Sequence, residues 1–541
     1  AKQLDRRIEN AGDRQAIESF YAGRNYAPLW IRDGELTARA KDVIARLKGA
    51  ADEGLDAADY PVPDFAAATT PEALAEAELK LTASMLDYAR QAQSGRMHWS
   101  QVSADILYPD HPTDPSEVLA NVTTAKDASA VLDSYNPPQK LYRELKAKLA
   151  ELRGQGDGPV TQISDGPALK FTPARSKKQP AVEMEDARVP QLRAKLGITE
   201  NADDTHYDAR VAGAVRKFQE GAELKPTGIL DDKTVKAINS PKRDRQIDTV
   251  IVNMERWRWM PAELGSYHVE DNIPEFIGRV VKNGKTVYAT KVVVGLPKYA
   301  TPIFSADMRS IVFNPEWVVP ETIKLEDLQP ALRGGGFLGA DTSILRDHEL
   351  TVSYQGKPVD AGTVDWSHAN ILQYTFTQPP GPDNVLGTLK FNFPNKHAIY
   401  MHDTIQPEVF DETVRMASHG CIRVYEPARL AALLLAEDKG WSAQQVKDML
   451  AKGNNSVVSL RHKVPVHVTY FTATVDEKGK VQAFADIYGL DSKMGSALFG
   501  KATKFDAVAT EEAAASGGRK RSAWNSGRGG LTDAISGLFG N

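Results

Sequence analysis

Apolar positions keep a helical period through the first part of this chain and shift to a strand period near residue 245. From residue 1 to about 150, Leu74, Leu81, Met85 and Tyr88 recur at helical spacing behind Thr70-Pro71, an N-cap followed by a first-turn proline. Leu141, Leu145 and Leu149 repeat the pattern, and Phe20, Tyr21, Tyr26 and Trp30 read as core aromatics. The stretch Gly154-Gln155-Gly156-Asp157-Gly158-Pro159 ends it. A charged, proline-containing segment, Thr172 to Pro180, leads to three short predicted helices between about 186 and 240. Pro190 starts the first and Gly197 stops it; Asp208 caps the second, with Val211, Val215 and Phe218 on one face; Asp231 caps the third, which carries Val235 and Ile238.

Strand signals follow. Thr249-Val250-Ile251-Val252 reads as one strand, and Phe276–Lys282 and Lys285–Val294 flank Asn283-Gly284, a strong hairpin signal. Gly387–Phe393 alternates, Lys396–His402 reads as a strand with Tyr400 and His402 on one face, and Val464, Val466 and Val468 mark another. Helices are expected after Glu426-Pro427, where Leu430, Leu433 and Leu434 form a stripe, and after Trp441, where Ser442 and Gln445 fit a capping box. The expected fold is α+β and multi-domain: an all-α domain, a small three-helix module, and a mainly-β domain with peripheral helices.

Composition narrows the class without naming a chemistry. The 541 residues suggest three or four domains at ~100–200 residues each. An apolar fraction of 42%, a charged fraction of 25% and a net charge of −5 describe a soluble globular protein and argue against a nucleic-acid binder. The longest apolar run, Leu430 to Ala436, falls well short of the ~20 residues that span a membrane. The sequence begins at Ala1 without a targeting segment, which leaves open a cytosolic protein or one whose leader has been removed. Ala513 to Gly530 is rich in Gly, Ser and Arg, so 501–541 is expected to be a disordered tail.

Candidate chemistry gathers at one place. Cys421 is the only cysteine, held in Ser418-His419-Gly420-Cys421-Ile422-Arg423, with His402 nineteen positions upstream. A thiol attacks acyl carbons only as thiolate, and two nearby imidazoles suit that need. Cys421 is expected on a tight turn feeding the helix that follows. Gly420 would remove the Cβ that crowds a substrate carbonyl, the amides of 419 to 421 would face a developing oxyanion, and Tyr400 would add a hydroxyl donor. The sequence has no HExxH, and 402–419 carries no ligand set with a second cysteine, so no metal or cofactor is expected.

His402-Asp403-Thr404, separated from Ser418-His419-Gly420-Cys421-Ile422-Arg423 by a short stretch, resembles the L,D-transpeptidases with the YkuD-type catalytic domain, in particular their large multi-domain Gram-negative branch. The resemblance implies that Cys421 is the nucleophile, His402 the general base and acid, and His419 and Gly420 the shapers of the oxyanion pocket, with Asp403 orienting His402 through its backbone carbonyl. Arg423 stands where many members carry Asn, as in the large branch. Asn314-Pro315-Glu316-Trp317 and Gln378-Pro379-Pro380-Gly381 also match and bracket an insertion, about 331–385, entered through Gly334-Gly335-Gly336. It resembles a capping subdomain over a substrate groove that Trp317, Trp366, His368 and Tyr374 would line.

On the same resemblance 1–165 is a helical scaffold domain, 180–241 a peptidoglycan-binding-like module marked by Phe218-Gln219 and Pro226-Thr227-Gly228-Ile229-Leu230-Asp231, and 245–500 the catalytic domain. The implied reaction is acyl transfer on peptidoglycan stem peptides in the periplasm. A tetrapeptide donor forms a thioester on Cys421, and an amine acceptor resolves it into a 3-3 cross-link between meso-diaminopimelate residues, a wall-building step that bears on cell shape. A lipoprotein or outer-membrane protein is an alternative acceptor, and carbapenems would acylate the same thiol. A monomer is expected, with no nucleic-acid partner. The rival readings are hydrolysis of the same bond, as a carboxypeptidase, and a non-catalytic wall-binding scaffold.

Overall fold

The computed structural model describes residues 10–499 apart from 155–162, 175–179, 197, 199, 222–223, 240–241, 334–340 and 477. The expected stop at Gly197, the three glycines at 334–336 and the tail from 501 lie outside the described residues, as does most of the break after Gly154. The chain forms two compact units, one built from residues up to 144 together with 252 onward, the other from 145–251.

In the first unit the helices Ala11–Gly23, Ala38–Lys48, Pro71–Ser94, Pro115–Thr124 and Ala128–Asp133 pack around Ile17, Trp30, Val43, Leu81, Met85, Tyr88 and Leu119. Each fully buried side chain of this size contributes ~1.5–3 kcal/mol. Thr70 caps the longest helix through its hydroxyl, accepting from Ala73 N–H at 3.1 Å with Pro71 in the first turn, as the sequence predicts. A hairpin of β1 (Ile31–Arg32) and β2 (Glu35–Leu36) carries Trp30 into this core. Tyr26 departs from expectation. It sits past the helix end with φ 59° and is 68% exposed, so it belongs to the turn and not to the core.

A strand from this helical part, β3 (Ile106–Leu107), pairs in parallel with the large sheet formed by the later residues, so the two parts share one sheet. They also share the end of the helix Lys242–Trp259, whose residues 252–259 belong to this unit and are buried on every side. Thr249–Val252, expected as a strand, lies inside that helix. A run buried all round shows no period, so β-branched content alone points to the wrong element. Arg258 donates to Glu53 O at 2.7 Å and Tyr142 Oη at 2.8 Å, and lies 3.6 Å from Glu255. Glu255 in turn accepts the amides of Arg96 and Met97. Gly95, at φ 93°, is required there, because a Cβ would stand 2.6 Å from the Glu255 carboxylate.

In the second unit, β4 (Met184–Glu185) and β5 (His206–Tyr207) pair beside the helices Val189–Lys195, Ala209–Gly221 and Asp232–Asn239, around Leu192, Val211, Val215, Leu230 and Val235. Asp208 and Asp231 cap the second and third helices at 2.8 Å each. Gln219 accepts from Gly228 N–H at 2.8 Å and donates to Ile229 O at 2.9 Å. The Phe218-Gln219 and Pro226–Asp231 motifs are thus one clasp, with Gly228 at φ 69° making the turn.

The large sheet contains β6 (Tyr267–Asn272), β7 (Ile277–Lys282), β8 (Lys285–Gly295), β9 (Ile303–Phe313), β14 (Leu389–Asn392), β15 (Met401–His402), β16 (Met416–Ser418), β17 (Ile422–Val424) and β18 (Ser456–Thr469). Its ladder runs β14-β15-β17-β8-β7-β6-β18-β9, and β9 pairs again with β14, closing the ring. Closure at eight strands leaves an interior that side chains fill. The hairpin between β7 and β8 turns at Asn283 (φ 51°) and Gly284 (φ 72°), as a two-residue primed turn requires. The helices Pro427–Lys439 and Ala443–Ala451 lie outside the ring, the second with the expected capping box. Beyond β18, β19 (Ala473–Val475) and β20 (Val481–Ala483) form a hairpin, followed by the helix Leu490–Leu498.

Between β9 and β14 the chain builds a subdomain with its own sheet, from β10 (Trp317–Val318), β11 (Thr351–Tyr354), β12 (Lys357–Pro358) and β13 (Tyr374–Gln378) in the order β10-β13-β11-β12. Its core holds Trp317, Val319, Leu332, Trp366, Phe376 and Leu386, so the insertion begins at Trp317 and not near 331. Asn384 ties its two ends, donating to Pro315 O at 3.0 Å and Pro379 O at 2.8 Å.

Candidate active site

β15 and β17 run parallel, with Met401 beside Ile422 and His402 beside Arg423. Ile422 N–H donates to Tyr400 O at 3.1 Å, so Cys421 lies level with Tyr400, at the edge of the ring. β14 pairs with β15 on its other side, placing Lys390 opposite His402. Strand register therefore gathers residues 390, 400, 402, 421 and 423.

Cys421 precedes a strand, and the helix begins only at Pro427, so the expected turn-to-helix junction is corrected. What fixes the thiol is the turn before it. Ser418 Oγ donates to Cys421 O at 2.6 Å and accepts Gly420 N–H at 3.1 Å. Gly420 adopts φ 106°, which disfavours any side chain, and its carbonyl accepts from Thr301 Oγ1 at 2.9 Å. Behind Thr301 stands Gly295, where a Cβ would fall 1.9 Å from Tyr299 O. Because Gly420 N–H is engaged by Ser418, the three amides of 419 to 421 do not act together as an oxyanion cradle.

The thiol is partly buried, and burial pushes its pKa up. Opposing this are hydrogen bonds from the Tyr400 amide and hydroxyl, then the positive charges of Lys390 and Arg423. The Tyr400 hydroxyl also bonds the Trp317 side chain, so Trp317 reaches the site through Tyr400.

His402 is buried, with the Asp403 main chain beside its ring as a hydrogen-bonding partner. Burial, then the neighbouring Arg423, push its pKa down to about 3, with Lys390 adding to the effect and the Asp403 main chain opposing it. The ring is neutral at any ordinary pH. Burial and the two neighbouring cations therefore oppose a thiolate–imidazolium pair in the resting site. Asp403 braces the strand, accepting from Thr388 N–H at 2.9 Å, Thr388 Oγ1 at 2.7 Å and Thr404 N–H at 2.8 Å. Gly387 lets it approach, since a Cβ there would lie 2.5 Å from the Asp403 carboxyl carbon.

His419 stacks on Tyr299 with ring centroids 4.2 Å apart. Tyr299 donates its hydroxyl to Glu326 of the subdomain, which also pairs with Lys298 at 3.1 Å. Lys324 to Leu328 form a π-helical turn, a feature frequent at functional sites. Arg423 is buried and donates to Gln406 Oε1 at 3.3 Å.

The expected groove residues divide. Trp366 is 3% exposed, donates Nε1 to Ala361 O at 2.9 Å, and packs edge-on to Tyr374, so it is core and lines no groove. Tyr374 is half-buried against Trp366, and His368 is exposed and paired with Asp365 at 2.8 Å. Sequence reading missed Lys390, Tyr299 and Thr301, which reach the site by strand register and loop packing and carry no local signal. Among the described residues no three His, Cys, Asp or Glu side chains are grouped to hold a metal, and no helix is long and apolar enough to cross a membrane.

Residues 266–452 match the model of the "L,D-transpeptidase catalytic domain", residues 15–149 that of the "Scaffold domain", and residues 191–238 that of the "Putative peptidoglycan binding domain". A Haemophilus influenzae protein named "Putative L,D-transpeptidase" is 31% identical over 262 residues, 48% of this chain and 51% of its own, so the chain spans about half of that relative. Among solved structures, an L,D-transpeptidase from Mycobacterium smegmatis is similar at 14% identity, covering 38% of this chain and 58% of that one with a TM-score of 0.18. One from Xylanimonas cellulosilytica is similar at 16% identity, covering 56% of this chain and all of that one with a TM-score of 0.16. No argument rests on superpositions at those scores.

Proposed function

We propose, from a catalytic domain that belongs to the L,D-transpeptidase family, that this chain joins peptidoglycan stem peptides by acyl transfer through Cys421. The observation that carries the reading is the grouping of the sole cysteine with His402, Tyr400, Arg423 and Lys390 at one edge of the ring. The thiol sulfur attacks the carbonyl at the L-centre of meso-diaminopimelate while neutral His402 accepts its proton. The C–N bond to the terminal D-alanine breaks, and His402 returns the proton to the leaving amine. A second stem's amine, deprotonated by His402, then displaces sulfur and completes a 3-3 cross-link, or an envelope protein's amine does so in its place. Tyr400 donates to sulfur as the thiolate develops, and the amides of His419 and Cys421 are the candidates for the oxyanion. The 191–238 module would hold the chain against the wall, which sets the site of action in the envelope.

The test is incubation of the full chain with disaccharide-tetrapeptides, products resolved by chromatography and mass spectrometry. The wild type gives 3-3 dimer and free D-alanine, and Cys421→Ala gives neither while unfolding at the wild-type temperature. Tripeptide without dimer establishes hydrolysis as the activity. Turnover by Cys421→Ala overturns the assignment.

A further inference from the structure

Lys390 is a cation without an acid. Opposite His402 in the β14–β15 ladder, it places Nζ 3.9 Å from the centroid of the Tyr400 ring, the ring whose hydroxyl bonds the Cys421 sulfur. Among the described residues its ammonium makes no ion pair with a carboxylate, and the charged group that acts on it is Cys421. Elsewhere in the same unit Arg258 is matched by Glu255, Arg256 by Asp491 and the half-buried Arg279 by Glu275, while buried Arg415 and Lys324 donate to main-chain carbonyls. A half-buried ammonium left unmatched costs solvation that some other event must offset.

We propose that Lys390 is the counter-charge for the Cys421 thiolate, acting across the face of Tyr400 and through space, in the place that an imidazolium fills in a Cys–His pair. Charge in this cleft is then arranged for an anion that exists only once the thiol has lost its proton. A cation over a phenol face also makes its hydroxyl a better donor, so Lys390 strengthens the Tyr400-to-sulfur hydrogen bond in the state that needs it. It is a positioning residue, since it reaches the sulfur's reactivity through Tyr400 and through its field. The groups facing the thiol are Tyr400 from β15, Lys390 from β14 and Arg423 from β17. His402 stands between the two cations, and His419 lies beyond, backed by Glu326 and Lys298. Arg423 is held by Gln406; among the described residues Lys390 has the Tyr400 ring and the thiol, with neutral His402 beside it.

The inference rests on Cys421 being the nucleophile, and its test needs no wall substrate. Cys421 is the only cysteine, so iodoacetamide alkylation of the full chain followed against pH reads its thiol directly. Lys390→Met should raise the alkylation midpoint by about one pH unit, ~10-fold slower alkylation at a fixed pH below it, and Lys390→Arg should restore the wild-type midpoint. The rate ratio of anionic iodoacetate to neutral iodoacetamide should fall in Lys390→Met and recover in Lys390→Arg, which loss of packing alone would not produce. Lys390→Gln gives the same readout should methionine not be accommodated. A wild-type midpoint and ratio in a folded neutral variant overturns the proposal. Shifted alkylation without wall-substrate turnover in the wild type would leave this inference standing and overturn the functional reading; turnover with unmoved alkylation would do the reverse.

Discussion

The end of the helix Lys242–Trp259, from residue 252, and the site around Cys421 are both largely buried and charged, and they treat charge in opposite ways. Around the helix, Glu255, Arg256 and Arg258 each have an opposite charge, and Arg258 spans from Glu255 to Glu53 O and Tyr142 of the helical part. At the site, Lys390 and Arg423 face a thiol that burial keeps protonated and a neutral imidazole. Matched charges hold the first place in one arrangement. On the proposed function, unmatched ones in the second keep a field ready for the thiolate that the reaction would create, a form of preorganisation that lowers barriers. Removing a cleft residue should therefore cost rate, and removing one from the helix should cost stability.

The largest effect is expected from His402→Ala. General acid–base catalysis contributes ~10²–10⁴-fold, so kcat/KM for dimer formation should fall by that factor with the unfolding midpoint unchanged. The wild-type rate should also show no inflection near the ordinary imidazole pKa, because a ring held down to about 3 is already in its basic form across the neutral range. A midpoint near 6.5 that vanishes in His402→Ala would show the ring titrating normally, and the charge contrast would fail.

Arg258→Met should break the comparison from the other side. Removing one partner of a buried pair costs ~3–5 kcal/mol, because Glu255 is left without its counter-charge. Urea unfolding should register the loss, while Cys421 alkylation in native buffer stays at the wild-type rate. Slower or faster alkylation in the folded variant would mean that the helix tunes the cleft as well as holding the fold.

The site was more legible in the sequence than the support around it. Cys421, Ser418 and Gly420 lie within four residues, so one local motif contains the turn that Ser418 cinches. His402 follows because its strand neighbours the motif's strand. Lys390 and Tyr299 had no such signal. Lys390 enters because β14 pairs with β15, and Tyr299 because its loop is drawn under Gly420 by Thr301. Legibility failed again where burial was complete. Thr249–Val252 lost the period that tells helix from strand, and Trp366, placed in a groove by the family resemblance, lies in a core. The Asn283-Gly284 hairpin and the Ser442 capping box, both at the surface, were legible because their geometry is set by the residues themselves.

Asp271 is a third kind of buried charge, neither matched like Arg258 nor paired with a reactive group. Both its carboxylate oxygens lack hydrogen-bond partners, and burial, with Glu270 adjacent, pushes its pKa up to about 8. With the folded value above the unfolded one, its contribution to stability is full below about pH 4 and is lost as pH rises to about 8. Asp271→Asn should therefore gain on the wild type between pH 5 and pH 8, by on the order of 1–4 kcal/mol. Thermal unfolding of both proteins at the two pH values measures it. An equal difference at both would place an ionised carboxylate in the fold.

The smallest effect should come from the link between the subdomain and the catalytic loop. Glu326 accepts from Tyr299 and pairs with Lys298, but Lys298 is 72% and Glu326 43% exposed, so water screens the pair. Exposed pairs contribute ~0–1 kcal/mol, and Glu326→Gln should shift the unfolding midpoint by no more than that. What it tests is whether the link works through charge or through contact. Tyr299 stacks on His419 whatever happens at its hydroxyl, so Glu326→Gln and Tyr299→Phe should leave Cys421 alkylation unchanged. Tyr299→Ala removes the stacked ring beside the turn that holds the thiol, and alkylation should change there alone. If Glu326→Gln alters the thiol as much as Tyr299→Ala does, the subdomain reaches Cys421 electrostatically, and the charge acting on the thiol is not confined to Lys390 and Arg423.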